Sequence, residues 1–262
     1  MKNEWFDRIE VLPPYAGYAV HRGWYATRDG EDVVAYTITP TRPNGHVLFY
    51  LRGGTGRIGD VRLPRLMQFA AKGFHVVAPV YRGNHGGSGK EDFGGADLED
   101  VLSLYDRVHR TDTLIHALGF SRGGMMALSL AAERPLTSVT SWAGVTNLEW
   151  TYEEQRSMRK MLRRMTGGDP EAAREAYVER SPLYKDWEAP TLLIHGTDDE
   201  QVRFRHATAV AERMGERAEL WIVPFAHQLP FWEKWKTTAS LAFVNRLKLS
   251  WNLRASAAAS VS

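Results

Sequence analysis

From residue 47 onward the chain keeps a rhythm that few folds accommodate: short apolar runs alternate with segments of helical periodicity. The runs cover 47–51, 74–80, 114–118, 139–142, 191–194 and 220–223, and the helical patterns cover 61–72, 94–109, 122–133, 152–165, 171–179, 203–214 and 230–249. Runs of about 4–8 residues without polar alternation belong to strands covered on both faces. Strand alternating with helix therefore predicts an α/β architecture built on a doubly wound, mostly parallel sheet. Ahead of this rhythm, residues 24–27, the turn Arg28-Asp29-Gly30 and residues 33–38 read as a hairpin preceded by a lead-in, which predicts an antiparallel N-terminal edge.

The stretch 143–190 is long for a connection that normally holds one helix, so a helical cap is expected at about 146–188, over the carboxyl edge of the sheet. Its basic run, Arg156, Arg159, Lys160, Arg163 and Arg164, reads as a solvated face first and as an anion site second. Residues 1–251 are expected to form one domain, with 252–262 a frayed tail.

Composition narrows the partners. The 262 residues carry 33 Lys and Arg against 31 Asp and Glu, a net charge of +2, too little to hold a polyanion by counterion release, so nucleic acid is not an expected partner. With no cysteine there is no disulfide framework, thiolate metal site or cysteine nucleophile, and the composition fits a cytoplasmic protein. The charged N-terminus and the lack of any apolar run of about 18 residues argue against export and membrane spanning.

The chemistry concentrates where the run 114–118 meets the helical pattern 122–133. Gly119-Phe120-Ser121-Arg122-Gly123-Gly124 is a Gly-x-Ser-x-Gly motif at a strand-to-helix junction. Such an elbow strains the serine backbone, and the glycines let strand and helix approach. Ser121 is the expected nucleophile, and the Arg122 amide, at a helix N-terminus, an expected oxyanion donor. A serine hydroxyl needs a base and a group to orient that base. His227 follows the run 220–223 in a loop at a strand's carboxyl end, whereas His206 lies inside a helical pattern, so His227 is the better base. Asp198 and Asp199, in His195-Gly196-Thr197-Asp198-Asp199-Glu200-Gln201-Val202, are both placed to orient it, and spacing does not choose between them. A second oxyanion amide is expected from Gly53 or Gly54 after the run 47–51. Arg52 reads equally as a substrate contact or a structural pair, and Trp142 as part of an apolar substrate pocket or of the core.

Two glycine patterns imitate nucleotide sites. Gly54-x-Gly56-x-x-Gly59 lacks a ribose-binding acid after the next run, and Pro64 delays the helix that would face a pyrophosphate. Asn84-His85-Gly86-Gly87-Ser88-Gly89-Lys90-Glu91 lacks the first glycine and the final Ser or Thr of a P-loop. No cofactor is expected, and with no His-Glu-x-x-His or tight carboxylate-histidine cluster, no metal either.

The order Ser, Asp, His is that of α/β-hydrolases. Beyond that, Tyr81-Arg82-Gly83-Asn84-His85-Gly86-Gly87-Ser88-Gly89 with Phe93-Gly94-Gly95-Ala96-Asp97-Leu98-Glu99-Asp100, the Ser121 motif and the His195 to Val202 segment together resemble the catalytic domain of the prolyl oligopeptidase (S9) family. The resemblance runs from about residue 47 to 227 and implies Ser121 as nucleophile, His227 as base and Asp199, four residues after His195, as the acid. There are two departures: 262 residues leave no room for the family's β-propeller, and Arg52 stands where many members have a tyrosine beside the oxyanion loop. The resulting expectation is a serine hydrolase of small esters or amides, esterase first, S9-like peptidase of short peptides second, and a non-catalytic hydrolase-fold binding protein as the rival from another class.

Overall fold

A computed structural model describes residues 4–223. The strands are β1 (Arg8–Tyr15), β2 (Tyr18–Ala26), β3 (Asp32–Thr39), β4 (His46–Leu51), β5 (His75–Pro79), β6 (Leu114–Phe120), β7 (Ser138–Trp142), β8 (Thr191–Gly196) and β9 (Ala218–Val223). They form one sheet in the order β1-β2-β3-β5-β4-β6-β7-β8-β9. Pairing is antiparallel from β1 through β3 to β5 and parallel from β5 to β9. The helices are α1 (Leu63–Ala70), α2 (Leu98–Val108), α3 (Arg122–Glu133), α4 (Leu148–Glu154), α5 (Arg159–Thr166), α6 (Arg174–Glu179) and α7 (Arg205–Met214). This is the α/β-hydrolase arrangement with an antiparallel N-terminal edge.

Apolar side chains of the parallel strands go to both faces, which is why the runs show no alternation. Phe49 and Leu51 of β4 pack with α2 and α3 residues such as Leu104 and Leu128. Leu48 and Tyr50 pack on the other face with Leu66 and Phe69 of α1. The chain leaves β4 through α1 toward β5 and leaves β6 through α3 toward β7, in opposite directions along the sheet. The two strands are neighbours and end level, Leu51 opposite Gly119, so their departing loops open a crevice at the carboxyl edge.

Three local expectations need correction. The lead-in contains an edge strand, β1, hidden by Pro13, Pro14 and mostly exposed side chains; an edge strand tolerates proline because one row of its amides has no partner to lose. The helix expected over 152–165 is broken into α4, a 3₁₀ turn (Arg156–Met158) and α5, because Gln155 leaves helical geometry at φ −110°, ψ 85°. Asn147 starts α4 earlier than periodicity suggests, its side-chain oxygen accepting from the Trp150 amide at 3.2 Å. The pattern 230–249, the end of the domain at 251 and the tail 252–262 lie outside the described residues. Among those residues no helix is long and apolar enough to cross a membrane.

Buried histidines make this fold acid-sensitive. His116 of β6 is 2% exposed and bridges His46 (2.8 Å) and Ser138 (2.8 Å), and burial, with the nearby His46 charge, pushes it down to about 3. Burial likewise lowers His75 to about 4, with His21 adding to the effect, and lowers His206. These rings stay neutral when folded but take up protons when unfolded, below about pH 6.5. The histidines' share of the stability is therefore whole above that pH and falls as acid is added, His116 alone accounting for about 2 kcal/mol by about pH 5, whereas Asp100, pushed up to about 7 by burial, works in the opposite direction. Between pH 8 and 5 the urea midpoint of wild type should fall relative to that of His116→Asn; parallel pH profiles would contradict this.

Candidate active site

β6 delivers Ser121 to the crevice in a conformation that side chains rarely adopt, φ 52° and ψ −119°. Such strain costs about 1–3 kcal/mol and persists only where surrounding contacts enforce it. The Ser121 amide donates to the Trp142 carbonyl (3.0 Å), and its carbonyl accepts from the amides of Gly124 (2.9 Å) and Val145 (3.2 Å). A Cβ on Gly119 would collide with the Gly123 carbonyl oxygen, and one on Gly123 with that of Leu51. Although Ser121 occupies the N-cap position of α3, its hydroxyl makes no capping bond. It borders a cavity of about 320 Å³ closed on the far side by Thr151, Gln155, Met158 and Met161 of the α4–α5 segment.

The loop after β4 presses against this elbow. A Cβ on Gly53 would lie 2.7 Å from the Phe120 carbonyl oxygen and 3.2 Å from the Ser121 Cβ, so only glycine brings the backbone so close. Gly54 lies beside it in left-handed geometry, φ 67°, and Gly59 folds back on the Gly53 carbonyl. The Arg122 amide opens α3, where amides have no partner within the helix. The Gly53 backbone and the first residue of α3 thus both lie beside Ser121. The glycines of the first nucleotide-like pattern serve this tight turn.

A buried charge cluster holds the loop. Glu91 Oε1 accepts from Arg52 (2.6 Å) and Arg122 (3.0 Å), while Oε2 accepts from the Gly56 amide (2.7 Å). Arg122 also donates to the Gly54 carbonyl (2.9 Å) and pairs with Asp97, which is fully buried and caps the amides of Asp92 (2.8 Å) and Gly94 (2.7 Å). Tyr81 lies under both guanidiniums, 5.1 Å from Arg52 and 4.6 Å from Arg122. Arg52, 1% exposed, donates as well to the carbonyls of Val80 and Ile58 and does not line the cavity around Ser121; the substrate-contact reading gives way to the structural one. Glu91 and Asp97 had no sequence signal as a pair, since their partners lie far along the chain.

Asp199 is 4% exposed, whereas Asp198 faces solvent. Asp199 Oδ1 accepts from the amides of Gln201 (2.9 Å) and Val202 (2.9 Å), and its Oδ2 lies 3.4 Å from His195 Nε2, which donates to the Val202 carbonyl. The β8 loop therefore holds one carboxylate fixed and inward. His227 lies outside the described residues. His206 is in α7, where its Nδ1 accepts from the Thr146 amide (3.0 Å) and ties that helix to the start of the α4–α6 segment. Trp142 is buried, packs 5.5 Å from Phe120 within the core and is not among the described residues that line this cavity.

The model of the prolyl oligopeptidase family (peptidase S9) matches residues 61–223. An uncharacterized peptidase of Bacillus subtilis (strain 168), YtmA, is 40% identical over 215 residues, covering 77% of this chain and 84% of that protein. Dipeptidyl-peptidase 5 of Porphyromonas gingivalis is 25% identical over 242 residues, covering 82% of this chain and 35% of that protein. Among solved structures, a puromycin-hydrolyzing peptidase of Mycobacterium tuberculosis matches with a TM-score of 0.69 at 24% identity, over 82% of this chain and 36% of that one. An esterase of Pyrococcus furiosus matches with a TM-score of 0.67 at 17% identity, over 90% and 96%. The chain thus spans little more than a third of the dipeptidyl-peptidase and of the puromycin-hydrolyzing enzyme, and most of YtmA and of the esterase. With well over half its length matched by one family model, and with that model's serine-hydrolase fold around it, this chain belongs to the prolyl oligopeptidase family of serine hydrolases.

Proposed function

We propose that this serine hydrolase cleaves carboxylic esters or amides of small substrates through an acyl-enzyme, with esters preferred. The observation that carries this reading is Ser121 itself: strained, without a capping bond, and at the edge of a cavity. In the first half-reaction His227 takes the Ser121 proton as Oγ attacks the carbonyl carbon. Amides of Arg122 and of Gly53 or Gly54 donate to the tetrahedral oxyanion, and Asp199 accepts the second imidazole N–H, fixing the base-competent tautomer. His227 then protonates the leaving group as the carbonyl reforms. In the second half His227 deprotonates water, which attacks the acyl-enzyme and releases acid and free serine. Esters come first because an amide nitrogen must be protonated to leave and its chain held in place. The peptidase name of the B. subtilis relative favours short peptides as the second reading.

Short p-nitrophenyl esters run beside aminoacyl and prolyl p-nitroanilides test the choice. A burst of nitrophenol with little anilide turnover is the expected result, while comparable anilide turnover moves the assignment to peptidase. No turnover of either class, together with no labelling of Ser121 by a serine-directed phosphonate, leaves a binding protein.

A further inference from the structure

A second depression, about 850 Å³, adjoins the Ser121 cavity, and Thr55 and Met161 line both. One wall is α5, which carries Arg159, Lys160, Arg163 and Arg164 and no acidic residue; the opposite wall is the loop from Gly83 to Asp92. Most charges lining the depression are already engaged. Glu91 is held by Arg52 and Arg122, Asp92 by Arg180, and Arg82 by Asp29 and Asp100. Lys90 and Arg164, one on each wall, have no ion-pair partner among the described residues. Lys90 and Arg164 are thus the cations lining the groove whose charge no neighbouring carboxylate among the described residues meets. An ammonium and a guanidinium on facing walls suit a carboxylate. Met161 and Met165 supply an apolar, adaptable strip for a short aliphatic connection between the reacting carbonyl and that carboxylate.

We propose that this groove is a subsite for a carboxylate carried by the substrate, so that the enzyme favours esters or amides bearing one free carboxylate a few bonds from the scissile carbonyl. The inference rests on the Ser121 reading of the adjoining cavity. Lys90 offers a mobile point charge and Arg164 a planar fork that pairs with a carboxylate through two parallel N–H donors. The carboxylate belongs to either the acyl part or the leaving group, and paired substrates separate the two.

The test compares kcat/KM for two pairs, p-nitrophenyl butyrate with mono-p-nitrophenyl glutarate (carboxylate on the acyl side) and phenyl butyrate with 4-carboxyphenyl butyrate (carboxylate on the leaving group). One charged ester should be preferred over its uncharged counterpart, p-nitrophenyl or phenyl butyrate, by about tenfold at low salt. The preference should shrink toward unity in the double variant Lys90→Gln, Arg164→Gln and on adding salt. A ratio near one in the wild type, or a preference that survives the double variant, overturns the proposal. Calorimetry of the same esters with Ser121→Ala requires no turnover. Tighter binding of a charged ester there upholds the subsite even if hydrolysis fails, in which case the Ser121 reading falls alone; equal binding rejects the subsite alone.

Discussion

Ser121→Ala is expected to lower ester turnover by a factor on the order of 10⁴ to 10⁶ while leaving the unfolding free energy within about 1 kcal/mol of wild type. The loss is large because every covalent step passes through Oγ; what survives is water attack helped by bound amides alone. The fold should persist because the Ser121 hydroxyl makes no capping bond, and its backbone bonds to Trp142, Gly124 and Val145 do not involve the side chain. Alanine is as strained as serine at φ 52°, so the backbone cost is unchanged. Burst kinetics with p-nitrophenyl acetate and a denaturant titration measure both quantities. Retention of more than a hundredth of wild-type turnover by the folded variant would remove Ser121 from the nucleophile role.

The second large effect separates two adjacent carboxylates. Asp199→Asn should reduce kcat by about 10⁴-fold, since an amide keeps the shape but does not fix the imidazole in the base-competent tautomer. Its oxygen can still accept from the Gln201 and Val202 amides, so the loop should hold. Asp198→Asn, on an exposed side chain, should change kcat by no more than about twofold. Steady-state kinetics on both variants, with folding checked by circular dichroism, give the comparison. Equal losses, or the larger loss at Asp198, would overturn the choice of Asp199 that the family resemblance implies.

What could be read from the sequence follows from how locally each feature is encoded. The parallel strands were legible because burial on both faces forces continuous apolar runs, as in β4 with Leu48 and Phe49 on opposite faces. β1 was not, since an exposed edge carries no such demand and tolerates Pro13 and Pro14. The break at Gln155 escaped for a related reason: glutamine is an ordinary helix former, and the interruption is imposed by tertiary contacts such as its side-chain bond to the Glu200 carbonyl (2.6 Å). At the site, the Ser121 elbow was legible because its geometry requires glycines at fixed offsets. The fate of Arg52 was not, because nothing local reveals that its partner is Glu91, 39 residues away. Trp142 is a related case, since its packing against Phe120 depends on where two separate strands end.

The four-charge cluster of Arg52, Glu91, Asp97 and Arg122 has a consequence for how such a chain diverges. Removing one member strands a buried opposite charge, typically at about 3–5 kcal/mol, a large part of a domain's whole stability. Single replacements at these positions should be purged, while joint replacements that keep the charges matched, or swap all four for apolar residues of similar volume, remain open. Arg122 is thereby tied to Arg52, Glu91 and Asp97. In this lineage the cluster should drift as a block, leaving the rims of the cavity and groove as the ground on which specificity diversifies.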